Sequence, residues 1–530
     1  MQKNLSLIIK ANQDFIRHTG DDAVVNAPVL NSFYESISSL YIPLLNMLEN
    51  LEKDSVKCCI GLVLPPILCN MLSDESLQDS YIEWLEKRNQ LGLKELERNK
   101  DNQQVVQTVQ QLIDFNNQRR DEFVEKFSKK LIPAFASYMN KGMIELLGTT
   151  GTDIFMPYYA DMKEIISAQI ECGLHSYRQF FGIIPEGFWL PEFGYTPGVE
   201  KLIKAYGYTY TILDSRSVLL AEKAPECGAF YPSRTENSLV IFTRANEIET
   251  ELYGEDGIIF HEAYRNQNRD IGYNLPMEDL SPFISEGSVR YTTGFKYWNR
   301  CFNNQDEAFY NKDAALKQAS DDAKVFVQKR KEILDKAAEY LSDKDFVTQV
   351  CTFDADKFSL MWDESLLWLE NVIREAVDSD ISVVSCDKMC ENQFSLEKIC
   401  PYYSAGSGAG YGENLLSSKN CWMMRYIRKA CERMVDLSDR FPNDTGLKTR
   451  LLNLGAKELM LAQSLRIAKV IDSSDYPEFA ERRFKESITA FTMVFDSLGS
   501  NTVSTEWLTT LEARDSIFPW MNYRIFTKKR

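Results

Sequence analysis

The sequence predicts an α/β chain in which a parallel sheet curls into an irregular barrel and an all-helical region follows it. Three observations carry this. Short β-rich runs recur at residues 5–11, 56–63, 143–148, 187–191, 208–213, 347–353 and 381–386, with helical periodicity across most of the intervals between them. Strands separated by helices need crossover connections, so they run parallel. From residue 401 onward only helical patterns remain, over 420–439, 444–471 and 476–498, as in an all-α unit packed on the barrel.

Composition bounds the function. At 530 residues the chain is long enough for two or three domains, each with its own core. Hydrophobic residues make up 44% and charged residues 26%, the balance of an ordinary soluble protein. The formal net charge of -17 repels a phosphate backbone and an anionic membrane alike, so neither nucleic acid nor membrane is an expected partner. A neutral substrate fits better. The 25 Tyr and 30 Phe suit stacking on sugar faces, although most aromatics in a large chain are core.

The N-terminus runs from Met1-Gln2-Lys3-Asn4 straight into the first apolar run, with no small-residue cleavage site. No signal peptide and no bilayer-spanning run are expected, which places the chain in the cytoplasm. Twelve cysteines are scattered without a framework, the pattern of a reduced compartment. Cys386, Cys390 and Cys400 lack a second pair and a nearby His, so no metal and no cofactor are expected. Residues 80–129 are rich in Glu, Lys, Gln and Leu and form a pair of long helices with a solvated face. The Gly-rich stretch 404–412 neither follows a strand nor ends in Lys-Ser/Thr, unlike a phosphate-binding loop.

Chemistry is expected at Gly187-Phe188-Trp189-Leu190-Pro191-Glu192-Phe193-Gly194. An apolar run stops on a carboxylate, and turn formers then lead into a helix. A charged residue at the C-terminal end of a barrel strand faces the side where reactions occur, so Glu192 is a catalytic candidate; a helix cap or a structural ion pair is the alternative. Asp354 falls at the end of run 347–353 in the same way. Asp356 competes with it, and an N-cap role is equally open to Asp354. Two carboxylates on one rim are what glycosidic bond chemistry needs.

These motifs resemble glycoside hydrolase family 57, and within it the 1,4-α-glucan branching enzymes. Trp189-Leu190-Pro191-Glu192 is similar to the family's nucleophile region. Tyr41-Ile42-Pro43-Leu44-Leu45, Gly142-Met143-Ile144-Glu145-Leu146, Tyr264-Arg265 with Arg269-Asp270-Ile271-Gly272, Thr293-Gly294-Phe295-Lys296-Tyr297 and Asp515-Ser516-Ile517-Phe518-Pro519 resemble further motifs in the same order. The resemblance implies Glu192 as nucleophile and Asp354 as acid/base, with retention through a covalent glycosyl-enzyme, no metal, and transfer of an α-glucan segment to a 6-hydroxyl as in glycogen synthesis. Hydrolysis and 4-α-glucanotransfer within the same family are the alternatives. It also implies an incomplete (β/α)7 barrel with a helical insertion over residues 1–400 and an all-helical C-terminal domain over 401–530. Trp189, Tyr297 and Trp298 become sugar platforms, with core packing the alternative for Trp189. Arg265 and Arg269 become residues that orient substrate or hold a carboxylate, with structural pairing the alternative.

The departures matter as much. The family's His-Ala-His-Leu-Pro-Tyr is Lys10-Ala11-Asn12-Gln13-Asp14-Phe15 here, and its Thr-His is Thr152-Asp153. Leu360 replaces the His that follows the acid/base. Ser404-Ala405-Gly406-Ser407 and Leu465-Arg466-Ile467-Ala468 stand where the family has Ser-Ser-Trp-Gly and Ser-Asp-Trp-Pro. The three histidines, His18, His175 and His261, occupy no family position. An imidazole replaced by Lys or Asp changes the charge of a subsite, and a lost Trp gives up stacking. A catalytically silent glucan-binding or interaction protein is therefore the second hypothesis, and a salt bridge between Lys10 and Glu192 that occludes the cleft would favour it.

Overall fold

The computed structural model describes residues 1–16, 23–285, 288–300, 308–472 and 476–528; His18 lies outside them. Among the described residues, nine strands occur in chain order: β1 (Gln2–Lys10), β2 (Ile60–Val63), β3 (Ile144–Leu146), β4 (Gly187–Phe188), β5 (Tyr210–Leu213), β6 (Ser233–Arg234), β7 (Val240–Thr243), β8 (Phe346–Asp354) and β9 (Ser382–Val383). One sheet has the order β3-β2-β1-β8 with β9 also on β1, and the other is β4-β5-β7-β6. All pairings are parallel except β6 with β7. Isolated parallel bridges tie the two sheets together, Gly148 after β3 to Phe188 of β4 and Arg244 after β7 to Val350 of β8.

Side-chain alternation sets the layers. Along β1, Leu5, Leu7 and Ile9 join the large core under the helices, while Ile8 joins Val63, Leu147, Trp189, Tyr210, Ile212, Val240, Phe242 and Val350 in a second core fed by both sheets. A period of two along an extended chain produces this division. Strands buried on both faces explain why these runs are apolar throughout.

The seven expected strand runs all contain extended backbone, but β2 begins only at Ile60 and β4 covers two residues. The pair β6 and β7 was not among them. Residues 80–129 form the expected helix pair, Glu75–Arg98 and Gln103–Asp121, capped by Asp74 and Asn102. Toward the C-terminus the helices are Met423–Arg440, Leu447–Ala462, Leu465–Asp472, Pro477–Ser500 and Thr505–Arg514. Three contacts bring this region over the strand ends: Thr152 Oγ1 donates to Met460 O at 2.7 Å, Gln169 Nε2 to Gln463 Oε1 at 2.9 Å, and Leu465 N to Asp153 O at 3.2 Å. Among the described residues, no helix is long and apolar enough to cross a membrane.

Candidate active site

Past β4, the chain turns sharply at Pro191–Phe193, and both Glu192 (φ 53°) and Phe193 (φ 50°) adopt left-handed backbone. Such a conformation costs about 1–3 kcal/mol for a residue with a Cβ, so it persists only where the surroundings impose it. Here they do. Phe193 N donates to Leu190 O at 2.9 Å and Gly406 N to Glu192 O at 2.6 Å. The Phe193 ring is clamped between Trp189 (centroids 4.7 Å apart) and the Arg244 guanidinium (4.3 Å). A Cβ added at residue 406 would stand 2.7 Å from Phe193 Cδ2, so a larger residue there would have to displace the Phe193 ring from this position.

Asp354 ends β8 and pairs in register with Lys10 at the end of β1. Its Oδ1 accepts from the Asp356 and Lys357 amides at 2.9 and 3.3 Å, capping the helix Ala355–Leu360, and its Oδ2 accepts from Asn12 Nδ2 at 3.1 Å. The N-cap alternative is thus realised, and it leaves the carboxylate at the cleft.

Glu192, Asp354 and Trp189 line one cavity of about 530 Å³. Its charged lining is balanced, with Lys10, Arg244, Lys357, Arg466 and Lys469 against Asp153, Glu192, Glu249, Asp354 and Asp356. In a chain of net charge -17, this neutral hollow suits an uncharged ligand.

The substituted positions pair with one another. Lys10 Nζ donates to Asp153 Oδ2 at 2.8 Å and to Asn12 Oδ1 at 2.8 Å, so it does not hold Glu192. Asp153 is itself left-handed (φ 51°). Arg466 Nη1 donates to Asp356 Oδ2 at 3.0 Å and Nη2 to Asp14 Oδ2 at 3.3 Å. Asp356 keeps 32% of its side-chain surface open, yet the protein packed around its carboxyl, with the nearby Asp354 charge adding to it, raises its pKa above the usual carboxylate value against the pull of Arg466. Lys469 Nζ, one helical turn beyond Arg466, donates to Glu192 Oε1. Neither cation of the helix Leu465–Asp472 was foreseen as a site residue. The signal available was the divergent stretch 465–468, which ends one residue short of Lys469.

Arg265, Arg269, Tyr297 and Trp298 are not among the residues lining this cavity. Arg265 pairs with Asp363 at 2.9 Å and lies 4.0 Å over the Tyr310 ring. The guanidinium of Arg269 covers Trp298, which stacks on Phe309 at 4.5 Å. Tyr297 is buried, its hydroxyl donating to Glu95 Oε2 at 2.8 Å. In sequence these four read as substrate contacts; their partners here are Asp363, Phe309, Tyr310 and Glu95 of the helix Glu75–Arg98. Among the described residues, no group of three or more His, Cys, Asp and Glu side chains is placed to hold a metal ion.

A carboxylate at the end of β8 and another in the turn after β4 share one neutral cleft, an arrangement compatible with the two-carboxylate chemistry of glycoside hydrolases. The chain belongs to glycosyl hydrolase family 57, whose model matches residues 6–386, and the model described as 1,4-alpha-glucan branching enzyme, C-terminal, matches residues 426–526. A 1,4-alpha-glucan branching enzyme of Thermococcus kodakarensis is 22% identical over 486 residues, 85% of this chain and 67% of the relative. The alpha-amylase AmyC of Thermotoga maritima superposes with a TM-score of 0.91 at 25% identity, covering 100% of both chains. A branching enzyme of Pyrococcus horikoshii superposes with a TM-score of 0.88 at 20% identity, covering 100% of this chain and 98% of that one.

Proposed function

We propose that the chain is a retaining transglycosylase on α-glucan of the glycogen or starch type, forming branches. The observation that carries this is the opening of Glu192 and Asp354 into one cavity from the ends of β4 and β8. Glu192 attacks the anomeric carbon while Asp354 protonates the departing glycosidic oxygen. Asp354 then takes the proton of the incoming 6-hydroxyl as that oxygen displaces Glu192. The Asn12 amide and the helix amides orient Asp354. Trp189 flanks the sugar. Arg265, Arg269, Tyr297 and Trp298 act at one remove, by fixing the insertion beside the cleft.

We infer further that β1, β2, β3, β4, β5, β7 and β8 close into one incomplete seven-stranded barrel within residues 1–400, bridged at Gly148–Phe188 and Arg244–Val350, with β6 and β9 as short additions to it and residues 401–530 as a helical domain that roofs the cleft. The test is amylose stained with iodine after incubation. Branching shortens the absorbance maximum with little new reducing sugar, hydrolysis releases reducing sugar, and an unchanged spectrum refutes activity. A second reading, a silent glucan binder, is favoured by the Lys469 contact on Glu192.

A further inference from the structure

We propose that the loop from Pro401 to Gly412 carries a binding rim for a long α-glucan chain, with Tyr402, Tyr403 and Tyr411 as its sugar-stacking rings. This rests on the proposed α-glucan function and adds a binding surface outside the cleft. The three side chains are 46%, 52% and 53% exposed, an unusual display of large rings on one short loop. Tyr402 and Tyr403 meet edge to face, centroids 6.0 Å apart at 86°, so they offer two differently inclined surfaces, each with a hydroxyl at its rim.

The loop is anchored rather than free. Tyr402 N donates to Ser217 O at 2.8 Å, and Ser217 Oγ donates to Tyr402 O at 2.5 Å. Tyr195 N donates to Ser404 O at 2.8 Å, Ala405 N to Gly410 O at 2.7 Å and Gly412 N to Ser407 O at 3.1 Å. Rings held out on a fixed backbone are preorganised, so a ligand loses little freedom of the protein on stacking.

Position names the occupant. Gly406, Ser407 and Gly408 of this loop line the catalytic cavity, and Gly406 N is bonded to the Glu192 carbonyl. At most about 14 Å of extended chain separates Tyr402 from Gly406. A polymer whose reacting bond lies at Glu192 therefore has its next sugars at hand for these rings, and a long chain can cover more of them than a short oligosaccharide does. Tyrosine presents an apolar face and a polar tip, which matches the two kinds of surface on a glucose ring.

The experiment is native-gel retardation in amylose, using full-length wild type, the triple variant Y402A/Y403A/Y411A and the triple variant Y402F/Y403F/Y411F. The expected result is a dissociation constant for amylose at least fivefold weaker in the alanine variant and within twofold of wild type in the phenylalanine variant. The ratio of kcat/KM on amylose to that on maltotetraose should fall by the same factor in the alanine variant. Wild type that remodels amylose while the alanine variant migrates and discriminates as wild type does overturns the rim and leaves the proposed function standing. Wild type that neither remodels amylose nor is retarded by it overturns both.

Discussion

Lys469 is hydrogen-bonded to the Glu192 carboxylate, joining the helix Leu465–Asp472 to the turn after β4 across 277 residues of sequence. A cation from the C-terminal region that lines the same cavity thus stands on the group proposed as nucleophile. Substrate has to displace it. With Lys469 43% and Glu192 27% exposed, the contact is worth about 0.2–1 kcal/mol, or roughly a 1.4- to fivefold effect on an equilibrium. Lys469→Met is expected to raise kcat/KM on amylose by that factor, chiefly through KM. Added salt should activate wild type and not the variant. A loss of activity in Lys469→Met would make the ammonium a substrate ligand instead.

The pair Lys10 and Asp153 is of another kind, since their side chains are only 9% and 11% exposed. Removing one member strands a charge inside the protein, at a cost of about 3–5 kcal/mol. Lys10→Met should therefore lower the urea midpoint sharply, and Lys10→Met with Asp153→Asn should recover most of it. Equal midpoints for the single variant and wild type would show the pair to be solvated.

At Gly187 an added Cβ would stand 2.3 Å from Tyr210 Cζ. That ring cannot swing aside freely, because its hydroxyl donates to Glu145 Oε1 at 2.5 Å. Gly187→Ala is expected to destabilise by about 1–3 kcal/mol through overpacking, and to lower kcat more than it raises KM by shifting the turn that presents Glu192. Unchanged kcat would uncouple β4 from the site.

Glu145 supplies a pH signature. Burial first, and the nearby Asp387 second, raise its pKa from 4.5 to about 8. The folded state then keeps a proton that the unfolded chain has released, so between pH 4.5 and 8 stability falls as pH rises and levels off above that window. Urea midpoints measured from pH 5 to 8 should decline more steeply for wild type than for Glu145→Gln. Parallel profiles would mean that another group titrates.

Much of this architecture was legible in sequence because local signals and tertiary outcome agree. The long apolar runs of β1 and β8 are buried on both faces, and the run that stops on a carboxylate does end β8 at Asp354, whereas Glu192 falls in the turn Pro191–Phe193, beyond the two-residue β4. The run Val240-Ile241-Phe242-Thr243 carries a β-branched signal as strong as that of β5, yet β7 went unread, as did the two-residue β6 beside it. Lys469 and Arg466 were illegible for a different reason. Helical spacing puts both on one face, but it takes tertiary contacts such as the hydrogen bond from Leu465 N to Asp153 O to turn that face toward the cleft. The same holds for Arg265 and Tyr297, whose partners Asp363 and Glu95 lie far away in sequence.

The most direct test of the paired-carboxylate account uses an α-maltosyl fluoride donor with Asp354→Asn. Fluoride departs without a proton donor, so the variant can still be glycosylated, while loss of the base slows release. The expected result is a maltosyl ester on the peptide carrying Glu192, found by mass spectrometry and absent from Asp354→Asn combined with Glu192→Gln. An ester on another side chain, or full turnover of amylose by Asp354→Asn, would contradict the assignment.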